Sequence, residues 1–322
     1  MVRADSPSGA IRFPDIKSGT SMRALQFCTL ALAISGLAMP SLPALADNLN
    51  AVCSGNANAL GVSRIVEIDT TGGPGFGSEQ FKTYDFLQPG EVVLTFDDGP
   101  WPGNTPAVLK ALHDQCTKAV FFPIGEHTLW RPELLRDVAA AGHTIGSHTW
   151  SHANLAKLDA VAAEAEIEKG FSAVQAALHE PGAPFFRFPG LRSTPEEIAY
   201  LGQRNIGAFS ADFDSQDFKI HDPAKVISSV MTKLQKNGKG IILMHDFQHG
   251  TSIALPEILV ELKNGGYKIV QVKAKSPVTT LAQFDADIAK QFGGAPSNAP
   301  PLASVVRTLD GPSFQDRFSA MR

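Results

Sequence analysis

The sequence lacks the features that mark several large classes of protein. It has no excess of basic residues, since 28 Lys and Arg stand against 32 Asp and Glu, and its formal net charge is −4. A surface that binds nucleic acid or an anionic membrane is usually basic, so neither partner is predicted. Cysteine is scarce, with three residues in 322, and we find no internal repeat. The remaining composition, 43% hydrophobic and 19% charged, is that of a globular protein with a substantial core.

The first 46 residues are typical of an export signal. Met22-Arg23 opens a short positive region, residues 24–42 are mostly apolar, and Ala44-Leu45-Ala46 supplies the small residues that a signal peptidase recognises. We expect cleavage before Asp47, with residues 1–21 as a possible upstream extension. A membrane anchor is the alternative, but the apolar run is barely long enough to span a bilayer and ends in prolines. The sequence therefore predicts an exported, periplasmic or secreted protein without stable membrane insertion.

Removal of that signal would leave two cysteines, Cys53 and Cys116. An even pair in an oxidising compartment predicts a disulfide, which here would tie the N-terminal segment, residues 47–90, to the first helical layer. Two unpaired, buried thiols are the alternative. Neither cysteine has the neighbouring residues of a metal or redox site. The segment 47–90 itself is predicted to pack on the domain that follows it.

From Glu91 onward, apolar and β-branched segments alternate with helical patterns. The predicted strands are residues 91–96, 119–124, 143–146, 185–188, 206–211, 240–245 and 267–270. The predicted helices are residues 105–115, 132–141, 159–178, 195–203, 223–235 and 254–264. This alternation indicates βα units around a parallel sheet, and it fits a closed barrel and an open doubly wound sheet equally well. Residues 284–322, rich in Pro, Ala, Ser and Gly, are predicted to form a flexible tail.

Titratable side chains fall where the predicted strands end. They are Asp97-Asp98, His148, His152, Arg187, Asp214, Asp217 and His245-Asp246. In a barrel of parallel strands, the C-terminal strand ends meet at one mouth, where barrel enzymes carry their chemistry. Scattered surface charge would not follow the strand ends in this way. The pattern therefore predicts one site at the mouth of the barrel.

The spacing of His148 and His152 indicates a metal site. One helical turn, or a tight turn entering a helix, would point both rings to the same side. Two imidazoles and a carboxylate are a common ligand set for zinc or another divalent metal. Alone, the pair could be structural, and Asp97-Asp98-Gly99-Pro100 could be a plain turn. Because neighbouring side chains on a strand point to different sides, one aspartate could bind metal while the other accepts a proton.

If the metal site hydrolyses an amide, it needs an acid as well as a proton acceptor, because the amine leaves poorly unless it is protonated. His245 follows the apolar segment Ile241 to Met244 and could serve if a carboxylate kept it protonated. Asp217 is the candidate partner. A histidine that only caps a strand end is the alternative.

Five segments, in this order, resemble the motifs of the polysaccharide deacetylase family, the NodB homology domain of carbohydrate esterase family 4. They are Thr95-Phe96-Asp97-Asp98-Gly99-Pro100, His148-Thr149-Trp150-Ser151-His152, Arg187-Phe188-Pro189-Gly190, Asp214-Ser215-Gln216-Asp217-Phe218 and Ile242-Leu243-Met244-His245. The first two are highly specific, and the last three gain weight from their order. The resemblance covers about residues 90–275. It implies a distorted (β/α) barrel of parallel strands, with the deacetylase catalytic domain at residues 91–283.

The resemblance also implies a role for each site residue. Three residues would bind a divalent metal, commonly zinc with cobalt, nickel or manganese as alternatives: Asp98, His148 and His152. Four would carry the acid–base chemistry: Asp97 as general base, His245 as general acid, Asp217 tuning His245, and Arg187 orienting Asp97. The backbone N–H of Gly190 would help to stabilise the oxyanion.

The substrate groove departs from the family pattern at two positions. The third motif usually ends in Tyr and here ends in Gly190, and the fourth usually ends in Trp and here ends in Phe218. Together with Leu243, these residues would line the groove, so the departures affect the preferred polymer rather than the reacting centre. Among the other histidines, His127 and His249 could border the groove, and four are predicted as surface or packing residues: His113, His143, His179 and His221.

The leading prediction is release of acetate from an acetylated polysaccharide or oligosaccharide, which could be peptidoglycan, a chitin-like oligomer or an exopolysaccharide. An amidase of the same fold acting on a small non-sugar amide would be expected in the cytoplasm, which the export signal contradicts. A carbohydrate-binding protein with a silent site does not explain the intact set of candidate residues. A glycoside hydrolase needs two carboxylates that flank the bond, and the adjacent Asp97 and Asp98 cannot easily do so.

Overall fold

A computed structural model of the chain describes Asn56 and residues 58–292. These residues contain the strands β1 (Arg64–Ile68), β2 (Gly75–Phe76), β3 (Glu91–Asp97), β4 (Val120–Phe122), β5 (Thr144–Ile145), β6 (Phe185–Phe186), β7 (Gly207–Phe209), β8 (Phe213–Asp214), β9 (Gly240–His245) and β10 (Lys268–Ala274). They also contain the helices α1 (Asn104–Asp114), α2 (Gly125–Trp130), α3 (Pro132–Ala140), α4 (Ala160–Leu178), α5 (Pro195–Gln203), α6 (Pro223–Asn237), α7 (His249–Asn264) and α8 (Ala282–Phe292). None of the helices in this part of the chain has the length and apolarity needed to cross a membrane. The predicted signal peptide, Cys53 and residues 293–322 lie outside the described residues.

Local sequence signals set the ends of several helices. The side chain of Asp159 caps the start of α4 by accepting a hydrogen bond from the backbone N–H of Ala162. Thr194 and Glu197 form a capping box at the start of α5, and Gly238 ends α6 in a left-handed conformation. These residues satisfy backbone groups that have no partner within the helix. The predicted ends of α4, α5 and α6 are confirmed to within two residues.

All strand pairs are parallel, and β3 lies at the centre of the larger sheet. β9 pairs with β3 over most of its length, in a register that sets His245 opposite Asp97. β4 pairs with the end of β3. β10 pairs with the start of β3 on one side and with β1 on the other. Because parallel strands share one direction, their C-terminal residues come to the same end of the sheet.

Two contacts join the seven-stranded sheet to the three-stranded sheet of β2, β7 and β6. Ser147, just after β5, forms a β-bridge with Phe186 of β6. Between β7 and β8, the backbone N–H of Asp212 donates to the carbonyl oxygen of Ile241 on β9 at 2.9 Å. The strands β3, β4, β5, β6, β7–β8 and β9 therefore follow one another around a distorted barrel. This arrangement confirms the predicted parallel (β/α) fold.

The side chains of β3 alternate between two apolar clusters. Leu94 and Phe96 pack with the helices α1, α6 and α7, whereas Val93 packs with Phe122 inside the barrel. Because side chains alternate along a strand, Asp97 points to the same side as Val93. All of β3 is buried, as expected for a parallel strand covered on both faces. The last residue of this strand therefore projects into the mouth of the barrel.

From residue 75 onward, four elements have no counterpart in the sequence predictions. β2 and β8 contain two residues each, too few to show a period, and α2 follows β4 after a two-residue connection. α8 runs across residue 284, where the flexible tail was predicted to begin. Ile288 on α8 is fully buried, and α8 packs on α4. Helical structure therefore continues beyond the predicted end of the catalytic domain at residue 283.

Candidate active site

Side chains from the ends of five strands meet at one end of the barrel. Asp97 is the last residue of β3 and His245 is the last residue of β9. His148 lies in the loop after β5, Arg187 directly follows β6, and Asp217 comes shortly after β8. The structure thus brings together candidate residues that lie far apart in the sequence.

A sharp turn separates the two adjacent aspartates. Asp98 has a left-handed backbone, with φ 72°, which Asp adopts more readily than most residues. Its carbonyl oxygen accepts a hydrogen bond from Nδ1 of His127 at 2.5 Å, and the N–H of Gly99 donates to Oδ1 of Asp246 at 3.0 Å. A Cβ on Gly99 would lie 2.2 Å from Oδ2 of Asp246, so only glycine fits this position. The network holds the Asp98 side chain in a direction different from that of Asp97.

His148 and His152 lie in a tight turn outside any helix. Thr149 and His152 have left-handed backbones, with φ 68° and 59°, and the N–H of His152 donates to Oγ1 of Thr149 at 2.9 Å. The N–H and hydroxyl of Ser151 both donate to Glu166 on α4. The turn brings the two imidazole centroids to 5.0 Å from each other. The predicted proximity is therefore present, although the helical alternative for this segment is wrong.

Asp98, His148 and His152 form a compact cluster. Nε2 of each histidine lies 3.4 Å from Oδ1 of Asp98, and one ligand atom from each residue lies within 4.8 Å of the others. Nδ1 of His148 is 2.7 Å from the carbonyl oxygen of Arg187, which can only accept a hydrogen bond. Nδ1 therefore carries the proton, and Nε2 presents a lone pair to the cluster. Burial lowers the pKa of His148 to about 4, so this ring is neutral at pH 7.

The chemistry of this cluster fits a divalent cation. Both carboxylate oxygens of Asp98 are buried, and neither has a hydrogen-bond partner among the described residues. Burial alone would raise the pKa of Asp98, but nearby histidines, His152 and His245 first, lower it overall, so the carboxylate is ionised. Buried oxygens of this kind normally have a partner. Two ligands at about 2.1 Å from a tetrahedral zinc stand about 3.4 Å apart, which matches the two distances to Asp98.

Arg187 holds the second aspartate. Its side chain is fully buried, and Nη1 donates to Oδ1 of Asp97 at 2.7 Å and to Oγ1 of Thr95 at 2.6 Å. Its remaining groups donate to two backbone carbonyls, those of Phe209 and Ser210. The guanidinium is thus neutralised by one carboxylate and oriented by three further acceptors. Asp97 therefore has a fixed position beside the cluster.

His245 and Asp217 form a buried ion pair. Nδ1 of His245 lies 2.6 Å from Oδ1 of Asp217. The other carboxylate oxygen, Oδ2, accepts hydrogen bonds from the backbone N–H of His245 at 2.7 Å and from Oγ1 of Thr251 at 2.5 Å. Burial by itself would lower the pKa of His245, but the Asp217 carboxylate, assisted by Asp98 and Asp97, raises it to about 10. Burial would raise the pKa of Asp217, and the charge of His245 lowers it overall. The pair therefore holds a proton on His245 at neutral pH.

The predicted groove residues lie at different distances from this centre. The ring of Phe218 is 5.7 Å from that of His245, centroid to centroid, and is partly exposed. Leu243 is buried two residues before His245 on β9, opposite Thr95 of β3. Gly190 lies on an exposed 3-10 turn, where a Cβ would meet no described heavy atom within 4 Å. Phe218 thus flanks the centre directly, whereas Gly190 leaves open space at its turn.

Sequence reasoning gave no role to Asp246, which is fully buried behind the site. Its Oδ1 accepts from the N–H of Gly99, and its Oδ2 accepts from Oγ1 of Thr105 at 2.5 Å. Burial, together with the charge of Asp98, raises its pKa to about 7. The available signal was an acidic residue directly after His245. Asp246 therefore joins the first and last motif segments.

The other histidines largely follow the sequence predictions. His127 is buried against Asp98, so it lies at the site rather than at an open border. His143 is buried at the start of β5, where Nδ1 accepts from the N–H of Ala119. Four others are exposed: His113, His179, His221 and His249.

Cys116 comes shortly after α1 and is disulfide-bonded. Its predicted partner, Cys53, lies outside the described residues. The pairing of these two cysteines therefore stays a prediction.

A parallel α/β barrel with an Asp-His-His cluster defines the class of protein, and sequence comparison agrees with it. The family model described as polysaccharide deacetylase matches residues 87–206. The chain is 30% identical over 155 residues to the chitooligosaccharide deacetylase of Bradyrhizobium sp. (strain ANU 289), covering 48% of this chain and 70% of that relative. The chain belongs to the polysaccharide deacetylase family, carbohydrate esterase family 4. The resemblance seen in the five motifs is confirmed.

Two further comparisons concern peptidoglycan deacetylases. The chain is 30% identical over 182 residues to the peptidoglycan-N-acetylglucosamine deacetylase PgdA of Listeria monocytogenes, a match that covers 56% of this chain and 38% of PgdA. The chain thus spans well under half of that relative. The solved structure of the Bdellovibrio bacteriovorus peptidoglycan deacetylase Bd3279 superposes with a TM-score of 0.61 at 33% identity, covering 66% of this chain and 59% of that one. That solved structure shares the fold described above.

Proposed function

We propose that this protein is an exported, metal-dependent deacetylase that hydrolyses N-acetyl groups on an amino-sugar polymer or oligomer. The observation that carries the proposal is the placement of two imidazole nitrogens 3.4 Å from the same buried oxygen of Asp98. A second carboxylate, that of Asp97, stands beside them, with Oδ2 3.9 Å from Nε2 of His148. The relatives described above act on chitooligosaccharide or peptidoglycan, according to their names, and both polymers carry acetylated amino sugars.

Asp98, His148 and His152 would hold the cation, and zinc is the metal we expect because its ligand set is commonly two histidines and a carboxylate. When bound, such a cation supplies Lewis acidity to a water molecule and to the acetamide carbonyl. The protonation state of His148 suits this role, because its Nδ1 donates to the carbonyl oxygen of Arg187 and leaves Nε2 as a ligand.

Asp97 would act as the general base. Its Oδ1 is occupied by Arg187, while its Oδ2 faces the cluster and can accept the proton of the attacking water. Arg187 prevents the carboxylate from rotating, since the guanidinium is itself fixed by four acceptors. Orientation of this kind keeps the base within reach of its proton.

His245 would act as the general acid. Asp217 binds Nδ1, so the proton on Nε2 is available to the nitrogen of the leaving amine. Transfer of that proton lets the C–N bond break, and the products are acetate and a free amino sugar. The backbone N–H of Gly190 would donate to the carbonyl oxygen as it gains negative charge.

The proposal is tested by measuring acetate released from a panel of acetylated substrates: peptidoglycan, β-1,4-linked N-acetylglucosamine oligomers, an acetylated exopolysaccharide and a small non-sugar amide. We expect release from at least one sugar polymer, loss of release on chelation, and recovery on addition of zinc. The matched control is the same protein treated with chelator already saturated with zinc, which should retain activity. Activity indifferent to chelation, or confined to the small amide, would contradict the proposal.

A further inference from the structure

Aromatic side chains gather on one side of the candidate active site. The ring centroids of Trp101 and Trp130 are 5.0 Å apart, and those of Trp101 and Phe247 are 6.2 Å apart. All three side chains are partly exposed. We call this group, Trp101, Trp130 and Phe247, the aromatic shelf. Its rings come from three separate segments that meet beside the end of β3.

The aromatic shelf adjoins both His245 and the Asp98 cluster. The ring of Phe247 lies 6.1 Å from that of His245. The ring of Trp101 lies 5.2 Å from that of His127, whose Nδ1 holds the carbonyl oxygen of Asp98. The shelf is therefore continuous with the acid on one side and with the metal-type cluster on the other.

Buried hydrogen bonds fix the shelf in place. The backbone N–H of Trp101 donates to Oγ1 of Thr105 at 2.7 Å, and that hydroxyl donates to the buried Asp246. Nδ2 of Asn104 donates to the carbonyl oxygen of Phe247 at 2.6 Å. A surface held before the ligand arrives binds it with a smaller loss of conformational entropy.

A pyranose ring suits a surface of this kind. Its C–H groups form an apolar face that packs on an aromatic ring, while its hydroxyl groups remain at the edge and can reach water. Gly190, by contrast, has no side chain of its own for such packing. Trp101 and Phe247 therefore offer a stacking surface in addition to the ring of Phe218, which flanks His245.

We propose that Trp101 and Phe247 form a subsite for the sugar unit next to the one that is deacetylated. This subsite rests on the proposed function, because it presumes a polymer whose acetylated unit lies at the Asp98 cluster. It makes the length of the sugar chain a determinant of binding.

The test compares Trp101→Ala with a matched control, Tyr84→Ala. Tyr84 is an aromatic residue with 54% exposure, and its neighbour Asp85 forms an ion pair with Lys239 just before the start of β9, at the other end of the barrel. Binding of the N-acetylglucosamine pentamer is measured by calorimetry in an Asp97→Asn background. Turnover of the pentamer and of a small alkyl acetate, which has neither an aromatic ring nor a neighbouring sugar, is measured in the otherwise unchanged holoenzyme.

We expect Trp101→Ala to weaken pentamer binding and raise its KM about tenfold, the scale of one lost ring-stacking contact, with kcat unchanged. Turnover of the alkyl acetate should be unaffected in Trp101→Ala, and turnover of both substrates should be unaffected in Tyr84→Ala. Phe247→Ala should reproduce the effect from a different segment. Trp101→Phe, which keeps a ring, should restore most of the affinity and supplies the comparison if Trp101→Ala does not fold.

Equal pentamer affinity in Trp101→Ala and Tyr84→Ala would overturn the subsite while leaving the deacetylase proposal intact. An equal loss on the pentamer and the alkyl acetate would also overturn it, because Trp101 would then act on the reacting centre. Failure of the wild-type holoenzyme to bind or deacetylate any acetylated sugar would remove the proposed function, and the subsite with it.

Discussion

At the scale of single residues, two adjacent aspartates differ through their partners. Asp97 receives a hydrogen bond from a buried arginine, whereas neither carboxylate oxygen of Asp98 has a partner among the described residues. A left-handed backbone at Asp98 separates the two side chains. Identical side chains in neighbouring positions thus have environments suited to a base and to a metal ligand, respectively.

The two aspartates give a direct test of this division. Asp97→Asn should lower kcat about a hundredfold to ten-thousandfold while the protein keeps its metal, because the proposed base is lost and the three cluster residues are unchanged. Asp98→Asn, the matched control of the same chemistry, should lose the metal as well as activity, since a cluster ligand is neutralised. Metal content by elemental analysis, at a temperature where both variants are folded, distinguishes them. Loss of metal in Asp97→Asn, with retention in Asp98→Asn, would reverse the assignment.

At the scale of elements, a buried ion pair fastens α4 to the chain that follows α5. Glu168 on α4 is fully buried, and its carboxylate accepts from Nε and Nη2 of Arg204 at 2.7 and 3.1 Å. The hydroxyl of Tyr200 on α5 donates to the same carboxylate at 2.8 Å. None of these residues contacts the metal-type cluster through a hydrogen bond or ion pair that we observe in the described part of the chain.

Glu168→Gln should therefore affect stability rather than chemistry. Removal of one charge leaves Arg204 with a partly buried, unpaired charge, so the free energy of unfolding should fall by about 3 kcal/mol. Asp114→Asn breaks the exposed ion pair with Lys110 on α1 and should change it by less than about 1 kcal/mol. Denaturant unfolding measures both changes. Equal effects of the two substitutions would show that the Glu168 pair does not stabilise the α4–α5 contact.

The sequence predicted the elements whose signals are local and repeated. β3 is a continuous buried segment, and α4 and α5 begin with capping residues, so each signal is visible within one segment of the sequence. β8 is different, because two residues form a strand only when β9 lies beside them. α8 was missed because residues 284–322, taken together, are rich in Pro, Ala, Ser and Gly, and the buried Ile288 gains its role from packing on α4.

The residues of the candidate site also fall into those that the sequence indicates and those that it does not. The spacing of His148 and His152, and their coincidence with a strand-terminal Asp98, are enough to indicate the cluster from the sequence alone. Asp246 and His127 could not be assigned, because their roles depend on contacts with the backbone of residues 98 and 99. Such contacts leave no periodic pattern in the sequence, so only the folded chain reveals them.

At the scale of the whole molecule, the predicted disulfide would fasten the N-terminal segment to the barrel. Cys116 is disulfide-bonded in the structure, and Cys53 is the predicted partner. We expect a Cys53–Cys116 linked peptide in a digest made without reductant. Because a cross-link restricts the unfolded chain, Cys116→Ser should lower stability by about 2–4 kcal/mol.

Wild-type protein treated with reductant is the matched comparison, and it should unfold at the same lowered midpoint as Cys116→Ser. A linked peptide joining Cys116 to Cys28 instead would contradict the prediction, since Cys28 lies in the segment expected to be removed on export.

Arg187 makes the loss of Asp97 expensive for the protein. The guanidinium is fully buried, and Asp97 is its sole acidic partner within the described residues. Replacing Asp97 with a neutral residue leaves a positive charge in the interior, at a cost of about 3–5 kcal/mol. Neutralisation of Asp97 should therefore be better tolerated when Arg187 is also replaced by an uncharged residue.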